Sequence, residues 1–334
     1  TSFGAIFAFQ ILPTIVFFSA LTSVLFYLGI LQKIVYFFAV IMRKVMDLSG
    51  AESLAAAGNI FLGQTESPLL IRPYIQKMTQ SELLCLMGGG MATIAGGVFI
   101  AFTAMLGEEY APHLLAASVM SAPAAIVACK ILIPETQTIN KKMTLVKGDC
   151  LGSNVFDSIA IGTIQGVKLA VNVGAMILVF VAFIALINQL LNLLGQYTGL
   201  NDLLLERNNI YTTLSLEMIF GYIFSPIAWL IGIPFQDILL AGQLLGEKTV
   251  ANEFIAYESL GAMINNNELT EKTTIMATYF LCGFANFLSI GIQIGGIGAI
   301  APDRRIDLSR LGVKALIAGT IASLLTAVIV GILI

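Results

Sequence analysis

Six stretches of this chain carry no Asp, Glu, Lys or Arg: Thr1 to Gln32, Leu83 to Gly107, Tyr110 to Cys129, Leu169 to Asn201, Thr273 to Pro302 and Ala315 to Ile334. Each is long enough to cross about 30 Å of hydrocarbon as a helix. Lipid offers no hydrogen bonds, so a spanning segment must satisfy its own backbone or close into a barrel. The stretches lack the period-two alternation of barrel strands, which leaves helices. Charged residues make up 11% of the chain and hydrophobic residues 57%, against roughly 25% charged in a soluble domain. The fold class is therefore an all-α polytopic membrane protein.

The net charge of −3 includes no basic tail of the kind that binds nucleic acid. Cys85, Cys129, Cys150 and Cys282 are far apart and lack metal-ligand spacing, so they read as small packing residues. His-Glu-x-x-His, Gly-x-Ser-x-Gly and Cys-x-x-Cys are all missing, and the single histidine, His113, lies beside a span end. Nothing points to an enzyme or to a cofactor. Thr1 precedes an apolar stretch without the basic leader and small-residue cleavage site of a signal peptide, and the missing Met reads as a fragment or a processed start.

Basic residues mark the cytoplasmic side. They gather at Lys33, Arg43 and Lys44, at Arg72 and Lys77, at Lys141, Lys142 and Lys147, and at Arg304, Arg305, Arg310 and Lys314. Between Lys168 and Asp303 the number of crossings must then be even, and the Leu169 and Thr273 spans already supply two. The segment from Asp202 to Lys272 must begin and end outside, although it holds the apolar runs Met218 to Gln236 and Ile238 to Gly246. Parity allows a pair of spans there, or an interfacial helix followed by a re-entrant hairpin. The half-membrane run Ser53 to Thr65, followed by Glu66, Ser67 and Pro68, poses the same problem in the first half. The order span, amphipathic linker, hairpin, span, span then occurs twice, and three crossings per unit invert the second copy. An inverted repeat with two re-entrant helical hairpins and two broken transmembrane helices is an architecture of secondary transporters.

An ionised carboxylate at mid-bilayer costs about 2.5 to 3.5 kcal/mol even on lenient scales. Glu66 and Glu253 fall at matching places in the two repeats, and the segments Met91 to Val98 and Cys282 to Ser289 each interrupt a span with small or polar residues. Gly88 to Gly90 taken alone read as a helix contact, and pairing with the polar hairpin tips favours an unwound segment. Gln64, Thr65, Glu66, Glu253, Asn286 and Ser289 together offer amide, hydroxyl and carboxylate groups. Carboxylates accept from sugar hydroxyls, and amides both donate to and accept from a heterocycle edge. Val98 and Phe284 supply apolar faces. A sugar joined to an aromatic ring matches this mixture. No Arg or Lys accompanies it in sequence, since Lys248 lies five residues before Glu253 and Arg72 six after Glu66, which argues against phosphorylated substrates.

Gly63-Gln64-Thr65-Glu66-Ser67-Pro68-Leu69-Leu70-Ile71-Arg72-Pro73, Met91-Ala92-Thr93-Ile94-Ala95-Gly96, Asn252-Glu253-Phe254-Ile255-Ala256-Tyr257 and Gly283-Phe284-Ala285-Asn286-Phe287 closely resemble the concentrative nucleoside transporter family. The likeness runs from the first span to the last and includes Leu169 to Met176. It implies a homotrimer whose transport domain moves as an elevator against a scaffold. On that pattern, residues 1–50 and 169–236 are scaffold spans with interfacial helices. Residues 51–134 and 237–334 are the two transport-domain halves, each with a hairpin and two spans, and 135–168 is a cytoplasmic linker. The resemblance assigns the base to Gln64, Thr65, Glu66 and Val98, with Phe284 against it, and the ribose to Glu253, Asn286 and Ser289. It also implies a sodium site at Asn59, Leu62, Thr93 and Ile94, with side-chain oxygens from the Asn and Thr and backbone carbonyls from the other two.

The expected function is import of nucleosides such as uridine and adenosine by sodium symport across a bacterial inner membrane, with lipid around the spans. Proton coupling is the alternative, with Glu66 as carrier. A passive channel for polar solutes is a further alternative, although it calls for polar residues along a whole pore. Family members normally carry additional N-terminal spans, which are expected to be either omitted from this sequence or absent.

Overall fold

The structure, a computed structural model, describes residues 7–143, 153–207 and 210–334. Lys147 and Cys150 lie outside the described residues. The first repeat opens with α1 (Phe7–Tyr27), which turns by 77° into α2 (Ile30–Met46). Hairpin 1 follows as α3 (Gly50–Asn59) and α4 (Ser67–Leu70), and α5 (Arg72–Ile75) leads out of it. One span is broken into α6 (Gln80–Ala92) and α7 (Gly96–Leu106), and α8 (Ala111–Leu132) closes the unit.

The second repeat begins with α9 (Val155–Thr198), followed by α10 (Leu200–Arg207) and α11 (Leu216–Leu230). Hairpin 2 is α12 (Ile238–Val250) and α13 (Glu253–Asn265). The second broken span is α14 (Glu271–Leu281) and α15 (Phe287–Ile300), and α16 (Arg305–Leu333) ends the chain. At 15 residues, α11 rises about 22 Å, short of the hydrocarbon thickness. Of the two arrangements that parity allowed for Met218 to Gln236, the short helix followed by a hairpin is the one formed.

Packing partners exchange between the repeats as an inverted pair requires. α2 lies on α3 as α11 lies on α12, and α3 lies on α6 as α12 lies on α14. α6 crosses to α16 as α14 crosses to α8, and α7 meets α13 as α15 meets α4. Thr93 to Ala95 and Cys282 to Asn286 are the two breaks, and they touch. A Cβ on Gly283 would stand 2.7 Å from the Ala92 carbonyl oxygen, and its φ is +128°, so both the space and the backbone there demand glycine.

Small residues set the α1–α9 crossing. Gly162 and Gly166 form a Gly-x-x-x-Gly step whose faces meet Val16, Ser19, Ala20 and Ser23 at backbone distance, the close-approach geometry of membrane helix pairs. At the far end of hairpin 1, Ser49 and Glu52 form a capping box. Lys130 donates to Glu52 at 2.5 Å. Beyond the spans, burial would raise the Glu135 carboxyl, but bonds from Thr79 and Gln137 and the nearby Lys130 ammonium hold it below the usual carboxylate range.

Two expectations need correction. The helix containing the Leu169 span starts at Val155, so 155–168 is helix rather than linker. Asn154 caps it by accepting from the Asp157 N–H at 3.0 Å, a start signal independent of the charge pattern. Gly88 to Gly90 are not unwound either. They lie inside α6 and face Cys129, Asn59 and Gln293, so they act as close-packing residues and the helix breaks three positions later.

Candidate substrate and ion site

Each polar group at the hairpin tips is placed by a local backbone requirement. In hairpin 1, Pro68 starts α4, where its missing N–H costs nothing, and the Glu66 carboxylate accepts from the Gly63 N–H at 3.1 Å. That bond closes the tip and holds Gln64 and Thr65 between its two ends. The tip is pinned to the first break by the Gly96 N–H, which donates to the Phe61 carbonyl at 3.2 Å.

In the second repeat, asparagines begin both helices that face the site. Asn252 Oδ1 caps α13 through the Ile255 N–H at 3.0 Å, which sets Glu253 in the first turn where the helix dipole favours a carboxylate. Asn286 Oδ1 caps α15 through the Ser289 N–H at 2.9 Å, and its Nδ2 donates to Glu253 Oε2 at 2.8 Å. A single amide thus orients the carboxylate and ends the unwound segment. Behind the tip, Lys248 is 2% exposed. Its Nζ donates to the Phe280 carbonyl at 2.7 Å and to Ser323 Oγ at 3.0 Å, capping the C-terminal end of α14.

Gln64, Thr65, Glu66, Val98, Glu253, Phe284, Asn286 and Ser289 all line one cavity of about 460 Å³ between the hairpin tips and the two broken spans. Gln64 Nε2 donates to Ser289 Oγ at 3.1 Å, joining hairpin 1 to α15 across the repeats. Within this single space hairpin 1 offers the Gln64 amide, the Thr65 hydroxyl and a Glu66 carboxylate tied to its own tip, and hairpin 2 with α15 offers the Glu253 carboxylate oriented by the Asn286 amide.

Asn59, Leu62, Thr93 and Ile94 gather beside the first break, and all four are buried. The Thr93 hydroxyl donates to the Gly89 carbonyl at 3.0 Å, and the Asn59 amide sits against Gly89. Neither Asn59 Oδ1 nor Nδ2 has a hydrogen-bond partner. A buried amide with both ends unpaired costs free energy unless something else meets it. No cluster of His, Cys, Asp or Glu suited to a transition metal occurs among the described residues.

Helix α9, which the hairpin and span patterns did not single out, presents Gln165, Lys168 and Asn172 along one face of the cavity. Their spacing of three and four residues on an otherwise apolar helix was the available signal. Lys168 also corrects the statement that no cation accompanies the polar groups, and buried Lys248 interacts electrostatically with Glu253. Distance along the chain concealed both, because α9 arrives from elsewhere in the fold and the chain reverses between α12 and α13. The argument against phosphorylated substrates therefore no longer follows from a lack of cations.

A family model described as Na+ dependent nucleoside transporter C-terminus matches residues 113–331, and a nucleoside recognition model matches residues 8–109. The chain belongs to the concentrative nucleoside transporter family. An uncharacterized transporter of Haemophilus influenzae is 45% identical over 335 residues, covering 99% of this chain and 77% of that protein. Solute carrier family 28 member 3 of Mus musculus is 41% identical, covering 98% of this chain and 47% of its own length. CNTnw in an inward-facing substrate-bound state superposes with a TM-score of 0.89 at 40% identity, covering 98% of this chain and 75% of that one. A CNTnw variant in an outward-facing state gives 0.90 at 40% identity, covering 99% and 76%. As a member of this family the protein is a membrane transporter rather than an enzyme.

Proposed function

We propose that this transporter imports nucleosides together with sodium ions across a bacterial inner membrane by an elevator-type alternation of access. The observation that carries this reading is the single cavity whose two ends differ in chemistry. A base meets Gln64, Thr65, Glu66 and Val98 with Phe284 against it, and a ribose meets Glu253, Asn286 and Ser289. Hydrogen bonding to a carboxylate is stronger than between neutral groups, so the Glu253 end supplies most of the affinity for sugar hydroxyls.

Sodium occupies the space next to Asn59, where Asn59 and Thr93 contribute side-chain oxygens and Leu62 and Ile94 contribute carbonyls. The unpaired Asn59 amide supports an ion there. Because Leu62 and Gln64 share one hairpin tip, an ion that orders the tip also orders the base site, which gives a physical route for coupling. Residues 51–134 and 237–334 move together as the transport domain. Residues 1–50 and 155–236 stay fixed in a homotrimer, with 135–154 linking the two halves. The existence of inward- and outward-facing states in CNTnw supports alternation.

Proteoliposomes carrying opposed sodium and proton gradients, loaded with radiolabelled uridine or adenosine, test the coupling. Uptake should follow the sodium gradient. Uptake that follows protons and ignores sodium would replace the ion site with protonation of Glu66.

A further inference from the structure

Gln293 on α15 is fully buried and does not line the cavity. Its Nε2 donates to the Met87 carbonyl at 2.9 Å and to Gln64 Oε1 at 3.0 Å. A main-chain carbonyl can only accept, so the nitrogen end of Gln293 must face Met87. The same nitrogen then faces Gln64, and only the oxygen of Gln64 can meet it. The nitrogen of Gln64 is left for Ser289. Turning Gln293 over would set its oxygen against two carbonyl oxygens. In the arrangement formed, that oxygen has no hydrogen-bond partner, so Gln293 is placed for its donors at the expense of its acceptor. Gly90 leaves room for the meeting, since a Cβ there would stand 3.0 Å from both Gln293 Nε2 and Gln64 Cβ.

We propose that Gln293 is a positioning residue that fixes which end of the Gln64 amide donates and which accepts, and thereby sets the base edge the transporter selects. This rests on the nucleoside reading above. With one hydrogen of Gln64 Nε2 given to Ser289 and one lone pair of Oε1 given to Gln293, the amide keeps one donor and one acceptor for a ligand, in a fixed order. Uracil and cytosine have nearly the same outline but opposite order at this edge. Uracil presents N3–H and a C4 carbonyl, whereas cytosine presents an N3 lone pair and a C4 amino group. An amide free to turn serves both bases, and one that is held serves only one.

The test uses the full chain in proteoliposomes and compares kcat/KM for uridine and cytidine. In the unaltered protein the two differ by about tenfold or more, the discrimination expected when a polar site meets a mismatched partner. Gln293→Met keeps the side-chain length and removes the amide, and it should bring the ratio within about threefold of one. In a Gln64→Met background the same substitution should leave the ratio where it is. Gly90→Ala wedges the two glutamines apart and should shift the ratio in the same direction, which covers the case in which Gln293→Met fails to insert. A residue that only packs would lower both nucleosides together. A ratio near one in the unaltered protein, or an unchanged ratio in a variant that still transports, overturns the proposal. Failure of the unaltered protein to carry either nucleoside sinks the functional reading itself, a different and separately visible result.

Discussion

The two hairpins hold equivalent places in the repeats, yet they are built from different chemistry. Hairpin 1 has a four-residue second arm, and its tip is closed by a carboxylate that accepts from the main chain. Its associated lysine, Lys130, stays at the open end on Glu52, with about a quarter of the side chain exposed. Hairpin 2 has two arms of 13 residues, and its lysine is sealed behind the tip next to Glu253. Hairpin 1 thus presents mainly neutral donors and acceptors beside the unpaired Asn59, whereas hairpin 2 presents a carboxylate oriented by Asn286. Duplication supplied a symmetric frame, and divergence of side chains made the cavity polar in one direction. A ligand with two unlike ends is what such a cavity selects.

The comparison can be broken most sharply at Glu253. Glu253→Gln should lower kcat/KM for uridine by about 10²- to 10³-fold, since a buried group built to meet hydroxyls loses its charge. Inhibition by free uracil should change little. Equal losses for the nucleoside and the free base would show that hairpin 2 has no special share in the sugar.

Next in size is Lys248→Met, which strands the Phe280 carbonyl and the Ser323 hydroxyl and removes a cation that interacts electrostatically with Glu253. Unfolding of purified protein should become easier by about 3 kcal/mol. Lys130→Met should cost less, about 2 kcal/mol, because a quarter of that side chain is exposed and the buried Glu52 carboxylate it strands keeps its bond from the Ser49 N–H. Matching losses would erase the distinction between a lysine at the open end and one behind the tip.

The smallest effect is expected for Asn59→Leu, measured as the sodium concentration for half-maximal uptake. Loss of one polar ligand worth roughly 1.5 kcal/mol raises it about tenfold. An unchanged sodium dependence would detach the ion from hairpin 1.

Much of this architecture was legible before any coordinates. Charge-free runs marked the spans because lipid penalises charge directly, and the breaks showed within Met91 to Val98 and Cys282 to Ser289 because small and polar residues interrupt an apolar run there. Six of the eight cavity residues were legible as polar groups at two tips and a span interruption, and Val98 and Phe284 as apolar faces beside them. Helix α9 was harder, because Lys168 interrupts its apolar pattern and masks a helix already running from Asn154. The glycines of α6 misled for a physical reason: the same residue serves tight packing and unwinding, and only a neighbour decides between them. Gln293 could not be found from its surroundings in the chain, since its partners lie at Met87 and Gln64, more than 200 residues away.

Helix α16 lies against α6, α8, α14 and α15, and it carries Ser323, the hydroxyl that holds Lys248. The chain is synthesised from its other end. Until the 29-residue α16 is made, α6 and α8 sit in the bilayer without their cover, and the walls around both hairpins cannot set. A nascent chain halted before Arg305 leaves the small-residue face of α6 open to lipid and to neighbouring proteins. One helix, made after the elements it covers, therefore ties the setting of both hairpins to a single insertion event.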